Sequence, residues 1–197
     1  TRYDPDGAPP TTPPDTDVAV ETLIEGLEIP WDLAFAPDGD LFVSERTGRI
    51  ARYAADDLET VAEADVLSRA DAVAPDEEGG WWGAGGEGGL LGIAVHPDHP
   101  AVPLVYAFYT RETEDGVANR LSHFDVAAAD PGATETVLID DIPADDAVHN
   151  GARLAFGPAD YLWVTTGDAG DRELAADPGS LAGSVLRLEP DGSAPAD

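Results

Sequence analysis

The sequence contains no cysteine, so it has no disulfide framework, no thiolate nucleophile and no zinc–thiolate site. Lysine is missing too: all ten basic residues are arginine, and against forty acidic residues they leave a formal charge of −30. A surface this acidic repels nucleic acid and anionic membranes, which excludes both as partners. No apolar run approaches the length needed to span a bilayer. Helical periodicity is also scarce, and Ala62 to Ala72 is the one stretch that reads as a short helix. Nor does a Rossmann-type glycine fingerprint follow a strand and open a helix, so nicotinamide cofactors have no expected seat.

The chain nevertheless has the means to fold. With 43% apolar residues and a clear strand pattern it is not a disordered acidic polymer. The acidic, lysine-free composition reads as adaptation to molar salt, because self-repulsion is strongest where the Debye length is long. Thermal melts should therefore show a melting temperature that climbs from low salt to molar potassium or sodium chloride. A melting temperature indifferent to salt would assign the acidic surface another purpose.

Three segments repeat: Leu33-Ala34-Phe35-Ala36-Pro37-Asp38-Gly39, Leu91-Gly92-Ile93-Ala94-Val95-His96-Pro97-Asp98 and Leu154-Ala155-Phe156-Gly157-Pro158-Ala159-Asp160. Their prolines are spaced by 60 and then 61 residues. Each copy continues into a second apolar run (Leu41–Val43, Val105–Tyr109, Leu162–Val164) and a third (Arg49–Tyr53, Arg120–Phe124, Val185–Leu188). The first two runs are continuously apolar, as in strands covered on both faces, and Pro-Asp-Gly-like turns separate them. Short strands at this period predict an all-β fold, a β-propeller in which each repeat supplies most of a four-stranded blade.

Two glycine-rich turns open equivalent strands: Gly86-Glu87-Gly88-Gly89-Leu90-Leu91-Gly92 and His149-Asn150-Gly151-Ala152-Arg153-Leu154. They are read as neighbours on one rim, where a carboxylate and an imidazole form a site that deprotonates a hydroxyl. On residue type alone two roles stay open for each: His149 is a base or a cap for backbone groups, and Glu87 is functional or a solvated carboxylate. His96, His99 and His123 read as structural. Trp81 and Trp82 read as loop anchors with stacking on a ring as the alternative. Residues 1–17, rich in Pro, Thr and Asp, form an expected flexible tether ahead of a propeller domain over 18–197. Such a tether follows the cleavage point of exported or lipid-anchored proteins, so an extracellular or cell-surface location is expected, although the signal itself is not in the sequence.

Taken together, several motifs resemble the glucose/sorbosone dehydrogenase family: Ile29-Pro30-Trp31, Ser44-Glu45-Arg46-Thr47-Gly48-Arg49-Ile50, the Gly-Glu-Gly-Gly-Leu-Leu-Gly turn, Ile142-Pro143 with His149-Asn150-Gly151, Thr165-Thr166-Gly167-Asp168-Ala169-Gly170 and Gly183-Ser184-Val185-Leu186-Arg187. The resemblance implies a six-bladed propeller holding pyrroloquinoline quinone (PQQ) and calcium. In such an enzyme an aldose is oxidised to a lactone, and the electrons pass to an external acceptor. It implies His149 as the general base, a role suited to an imidazole that is mostly neutral at neutral pH. It further implies Glu87 and Asn150 beside the cofactor, and Glu87 and Asp168 beside the sugar. Asp168 and Asp171 are weak candidates for calcium, whose main ligands are expected outside this chain.

This sequence departs from the family pattern at several positions. Ala152 stands where the family motif has a second glycine. Val148 and Ala169 replace polar residues found in glucose-oxidising members, which points to a broader aldose specificity. Three repeats make about half of a six-bladed ring, so a partial enzyme is expected, with open blade edges able to self-associate. Two other readings remain: a non-catalytic propeller that binds a ligand or partner at its rim, and a calcium-dependent lactonase-type propeller.

Overall fold

The computed structural model describes residues 19–56, 60–64, 86–145 and 148–196, with 60–64 described by backbone alone. The expectations for residues 1–17, Trp81 and Trp82 lie outside those residues.

Among the described residues, eleven strands form three antiparallel sheets, each meandering in chain order. Sheet one holds β1 (Pro30–Phe35), β2 (Leu41–Glu45), β3 (Ile50–Tyr53) and β4 (Thr60–Ala64). Sheet two holds β5 (Leu90–Val95), β6 (Leu104–Thr113), β7 (Gly116–Asp125) and β8 (Thr136–Pro143). Sheet three holds β9 (Gly151–Phe156), β10 (Leu162–Thr166) and β11 (Val185–Leu188), three strands rather than four among the described residues. Its one α-helix among those residues, α1 (Arg172–Ala176), sits between β10 and β11 and is capped by Asp171, whose Oδ1 accepts from Glu173 N at 2.8 Å.

These sheets are successive propeller blades, and the apolar pattern explains how they stack. Blade two lies in the middle and is buried on both faces. On β6, Val105, Ala107 and Tyr109 face blade one and pack with Phe42 and Ile50, whereas Tyr106 and Phe108 face blade three and pack with Leu154 and Val164. That two-sided burial is why the run reads as continuously apolar. Fully burying each large side chain contributes about 1.5–3 kcal/mol. The outer face of blade one is covered by Ile24 and Leu27, which pack on Leu41, Val43 and Tyr53. Elsewhere Leu33, Phe35, Trp163 and Val185 stand exposed on sheet faces.

One expectation is corrected. Ala62–Ala64, read as part of a helix, belongs to β4, which pairs antiparallel with β3 in the register Arg52↔Ala62, Ala51↔Glu63 and Ile50↔Ala64. The alanine propensity of so short a run is weak, whereas pairing satisfies the backbone groups on the open edge of β3. Residues 65–72 lie outside the described residues.

The first strands of the three blades are tied together by one buried carboxylate. Asp32 on β1 accepts from Ile93 N on β5 at 3.2 Å and from the Arg153 guanidinium on β9. The backbone N–H of Asp32 donates to Ser44 Oγ at 3.1 Å, and that hydroxyl donates to Leu91 O at 2.7 Å. A buried charge left unpaired is costly, so this pairing fixes the three strands relative to one another. The ends that carry the glycine-rich turns are thereby set side by side.

Candidate active site

The turn 86–89 enters β5 and the turn 148–150 enters β9, and the fold brings them into contact. The backbone N–H of His149 donates to Glu87 Oε2 at 2.7 Å. His149 has φ +62°, the left-handed region that a non-glycine residue enters at a cost of about 1–3 kcal/mol unless its surroundings hold it there. Two contacts do so: the Glu87 carboxylate on its N–H, and Ala169 N, which donates to His149 O at 3.2 Å. Ala152 (φ +87°) and Ala169 (φ +52°) share this strained region, so backbone strain gathers around the imidazole.

The third wall is the turn after β10. Asp168 Oδ1 lies 2.7 Å from His149 Nδ1. The His149 hydrogen bond, followed by one from Gly170 N, holds the Asp168 carboxyl below its usual range, so it is ionised at neutral pH. An ionised carboxylate only accepts, which puts a ring proton on Nδ1; in the neutral imidazole the lone pair is then on Nε2. The His149 side chain is 58% exposed. The turns meet backbone to backbone: a Cβ at Gly167 would lie 1.6 Å from His149 O, and one at Gly151, where φ is +79°, would lie 2.4 Å from Gly167 N. Only glycine permits that approach.

His149, Glu87 and Asp168 line one open depression of about 640 Å³ with Trp31, Gly151, Gly167, Ala175 and Gly183. Trp31, at the start of β1, also borders the adjoining recess beside Arg153 and Thr165. Of the site residues expected from sequence, Asn150 is placed differently. It is buried behind the turn, where its Oδ1 accepts from Asn119 Nδ2 (3.1 Å) and Asp145 N (3.2 Å), while its Nδ2 donates to Asp145 O (2.8 Å). It anchors the His149 turn to blade two. Asp171 caps α1, and among the described residues no group of three His, Cys, Asp or Glu side chains is arranged to hold a metal.

The other histidines sit in packing contacts. His99 is buried edge-on against Phe42, and His96 and His123 both pack on Tyr106. Burial lowers the pKa of His123, which favours its neutral form. Trp31 and Arg46 stand in the Ile-Pro-Trp and Ser-Glu-Arg motifs, whose residue types alone give neither a role. The Arg46 guanidinium carbon lies 5.2 Å from the Trp31 ring centroid, and Arg46 reaches the turn bearing Glu87.

The family model described as "Glucose / Sorbosone dehydrogenase" matches residues 27–197. An aldose sugar dehydrogenase of Escherichia coli is 29% identical over 184 residues, covering 91% of this chain and 46% of the relative. Quinoprotein glucose dehydrogenase B of Acinetobacter calcoaceticus is 26% identical over 207 residues, covering 90% of this chain and 40% of the relative. Among solved structures, the PQQ-bound aldose sugar dehydrogenase of Streptomyces coelicolor superposes with a TM-score of 0.70 at 36% identity, over 88% of this chain and 48% of that one. The chain thus spans about half the length of the relatives it matches.

Proposed function

The chain belongs to the glucose/sorbosone dehydrogenase family, and we propose from that membership and the geometry of the rim that it forms part of a PQQ-dependent aldose dehydrogenase. The observation that carries the proposal is the His149–Asp168 pair beside Glu87 in the depression walled by Trp31.

The residues present fit one side of the quinone. The backbone wall at Gly151 and Gly167, bare of side chains because a Cβ there would collide with neighbouring backbone, leaves room for a planar ring. Glu87 and Asp168 are the charged carboxylates in the lining, and they repel the acid groups of such a molecule. Those acid groups, and the calcium, belong against residues elsewhere in a full ring. When bound, PQQ supplies an acceptor for a hydride.

The chain's own residues supply the rest. His149 Nε2 accepts the proton of the anomeric hydroxyl as the hydride leaves the same carbon, so the sugar loses one proton and one hydride and gains a carbon–oxygen double bond, giving the lactone. Asp168 keeps the imidazole in the tautomer that can accept, and its negative charge stabilises the imidazolium that results. Glu87 holds the His149 backbone and borders the sugar. Trp31 offers an apolar face to the sugar's C–H groups and keeps water off one side.

The test is reconstitution of the complete protein with PQQ and calcium in high salt. Aldoses should then reduce an artificial dye, electrons leaving to that external acceptor, while nicotinamide cofactors should not substitute. Quinone binding without any aldose-dependent dye reduction would reject the proposal.

A further inference from the structure

The proposed base is held by a chain of contacts that begins in blade one. Arg46 follows β2 and is buried, with 2% of its surface exposed. Its backbone is pinned at both ends, since its N–H donates to Ile29 O at 3.1 Å and its carbonyl accepts from Leu90 N at 3.1 Å. Its guanidinium donates to Gly88 O through Nε (3.0 Å) and Nη2 (2.7 Å), and Nη2 also donates to Gly86 O. These two carbonyls bracket Glu87, so one rigid fork holds the peptide that enters Glu87 and the one that leaves Gly88. Glu87 in turn takes the N–H of His149, which is the contact that holds the left-handed backbone carrying the imidazole.

We propose that Arg46 is a positioning residue for His149, acting through the turn 86–88 and the Glu87 carboxylate, with Trp31 as the lid that keeps its guanidinium in place. The assignment rests on the reading of His149 as the base, but the contact chain is measurable without quinone or sugar. Several features require arginine in particular. A lysine ammonium is a compact point charge and cannot reproduce the planar fork that spans two carbonyls. Burial pulls the Arg46 pKa below its usual value, and the nearby Glu87 charge offsets only part of that cost. The Trp31 ring, 5.2 Å from the guanidinium carbon, covers the face of the fork by a cation–π contact and also lines the sugar-side depression. Anything packed against Trp31 therefore presses on the residue that sets the position of the base.

The experiment is amide hydrogen exchange by NMR on the complete protein without quinone or sugar, with His149 N–H as the reporter and the amides of Tyr106 to Phe108 in β6 as the measure of global stability. Glu87→Ala removes the bond and defines the fully released rate. Arg46→Lys should speed exchange at His149 by about tenfold or more, towards that rate, while the β6 amides stay protected. It should also shift the His149 Nδ1 resonance, since a wandering backbone loosens the contact with Asp168. Wild-type protection at His149 in Arg46→Lys, or in Glu87→Ala, overturns the proposal. If Arg46→Lys also exposes β6, Trp31→Leu decides: the expected result is exchange about threefold faster at His149 alone, and an unchanged rate overturns the proposal. A failed dye assay leaves these rates standing, so the two readings fail separately.

Discussion

Replacing His149 with alanine is expected to lower kcat for aldose oxidation by about 10²- to 10⁴-fold, the usual worth of a general base. PQQ binding should change little, because the proposed base acts on the sugar hydroxyl and the side-chain-free wall at Gly151 and Gly167 remains. The measurement is steady-state turnover of the reconstituted complete protein alongside a PQQ titration. The split between the two decides the role. Near-normal turnover would remove His149 from the chemistry. Loss of quinone binding together with turnover would make it a cofactor contact instead.

The second large effect is on stability. A Cβ at Gly92 would lie 2.0 Å from the carbonyl oxygen of Ala152 and 3.0 Å from Leu154 Cδ1. The nearest obstacle is backbone, which no rotamer change can clear. Gly92→Ala must therefore push β5 away from β9 or abandon the contact between blades two and three, and overpacking of this kind costs about 1–3 kcal/mol, occasionally more. Urea unfolding should show a stability lower by that amount, read as a lower midpoint at unchanged slope. Because Ala152 is three residues beyond His149, the same variant should disturb the rim. An unchanged midpoint would mean that the inter-blade contact at Gly92 is absent in solution.

Much of this architecture is legible in the sequence because blade two is buried on both sides. Val105–Tyr109 has no polar face to blur its pattern, and its neighbours repeat with prolines at 37, 97 and 158. The outer strands are harder to see. β8, with the sequence TVLIDDIP, is largely exposed, and its aspartates pair with Arg111 and Arg120, so it lacks an apolar signature. Helix α1 is only five residues long, too short for a period to register.

The candidate site divides along the same physical line. That the turns of Glu87 and His149 share a rim follows from their equivalent places in the repeat, and the structure joins them by a hydrogen bond. The form of that bond, a carboxylate on a backbone N–H, depends on how one blade is set against the next. Inter-blade setting leaves no local sequence trace. The same holds for the Asp32 contacts that tie β1 to β5 and β9, and for Trp31, whose partner Arg46 lies on another strand end. Asn150 shows the converse: its motif position points at the cofactor, whereas its buried amide serves the scaffold.

The account stands most directly on where a sugar sits. The deciding measurement is a crystal structure of the complete PQQ-loaded protein with an aldose bound. The account predicts the anomeric oxygen within about 2.6–3.2 Å of His149 Nε2, with Asp168 still on Nδ1 and Trp31 against the sugar's apolar face. An anomeric hydroxyl held by another group, with Nε2 facing solvent, would contradict it.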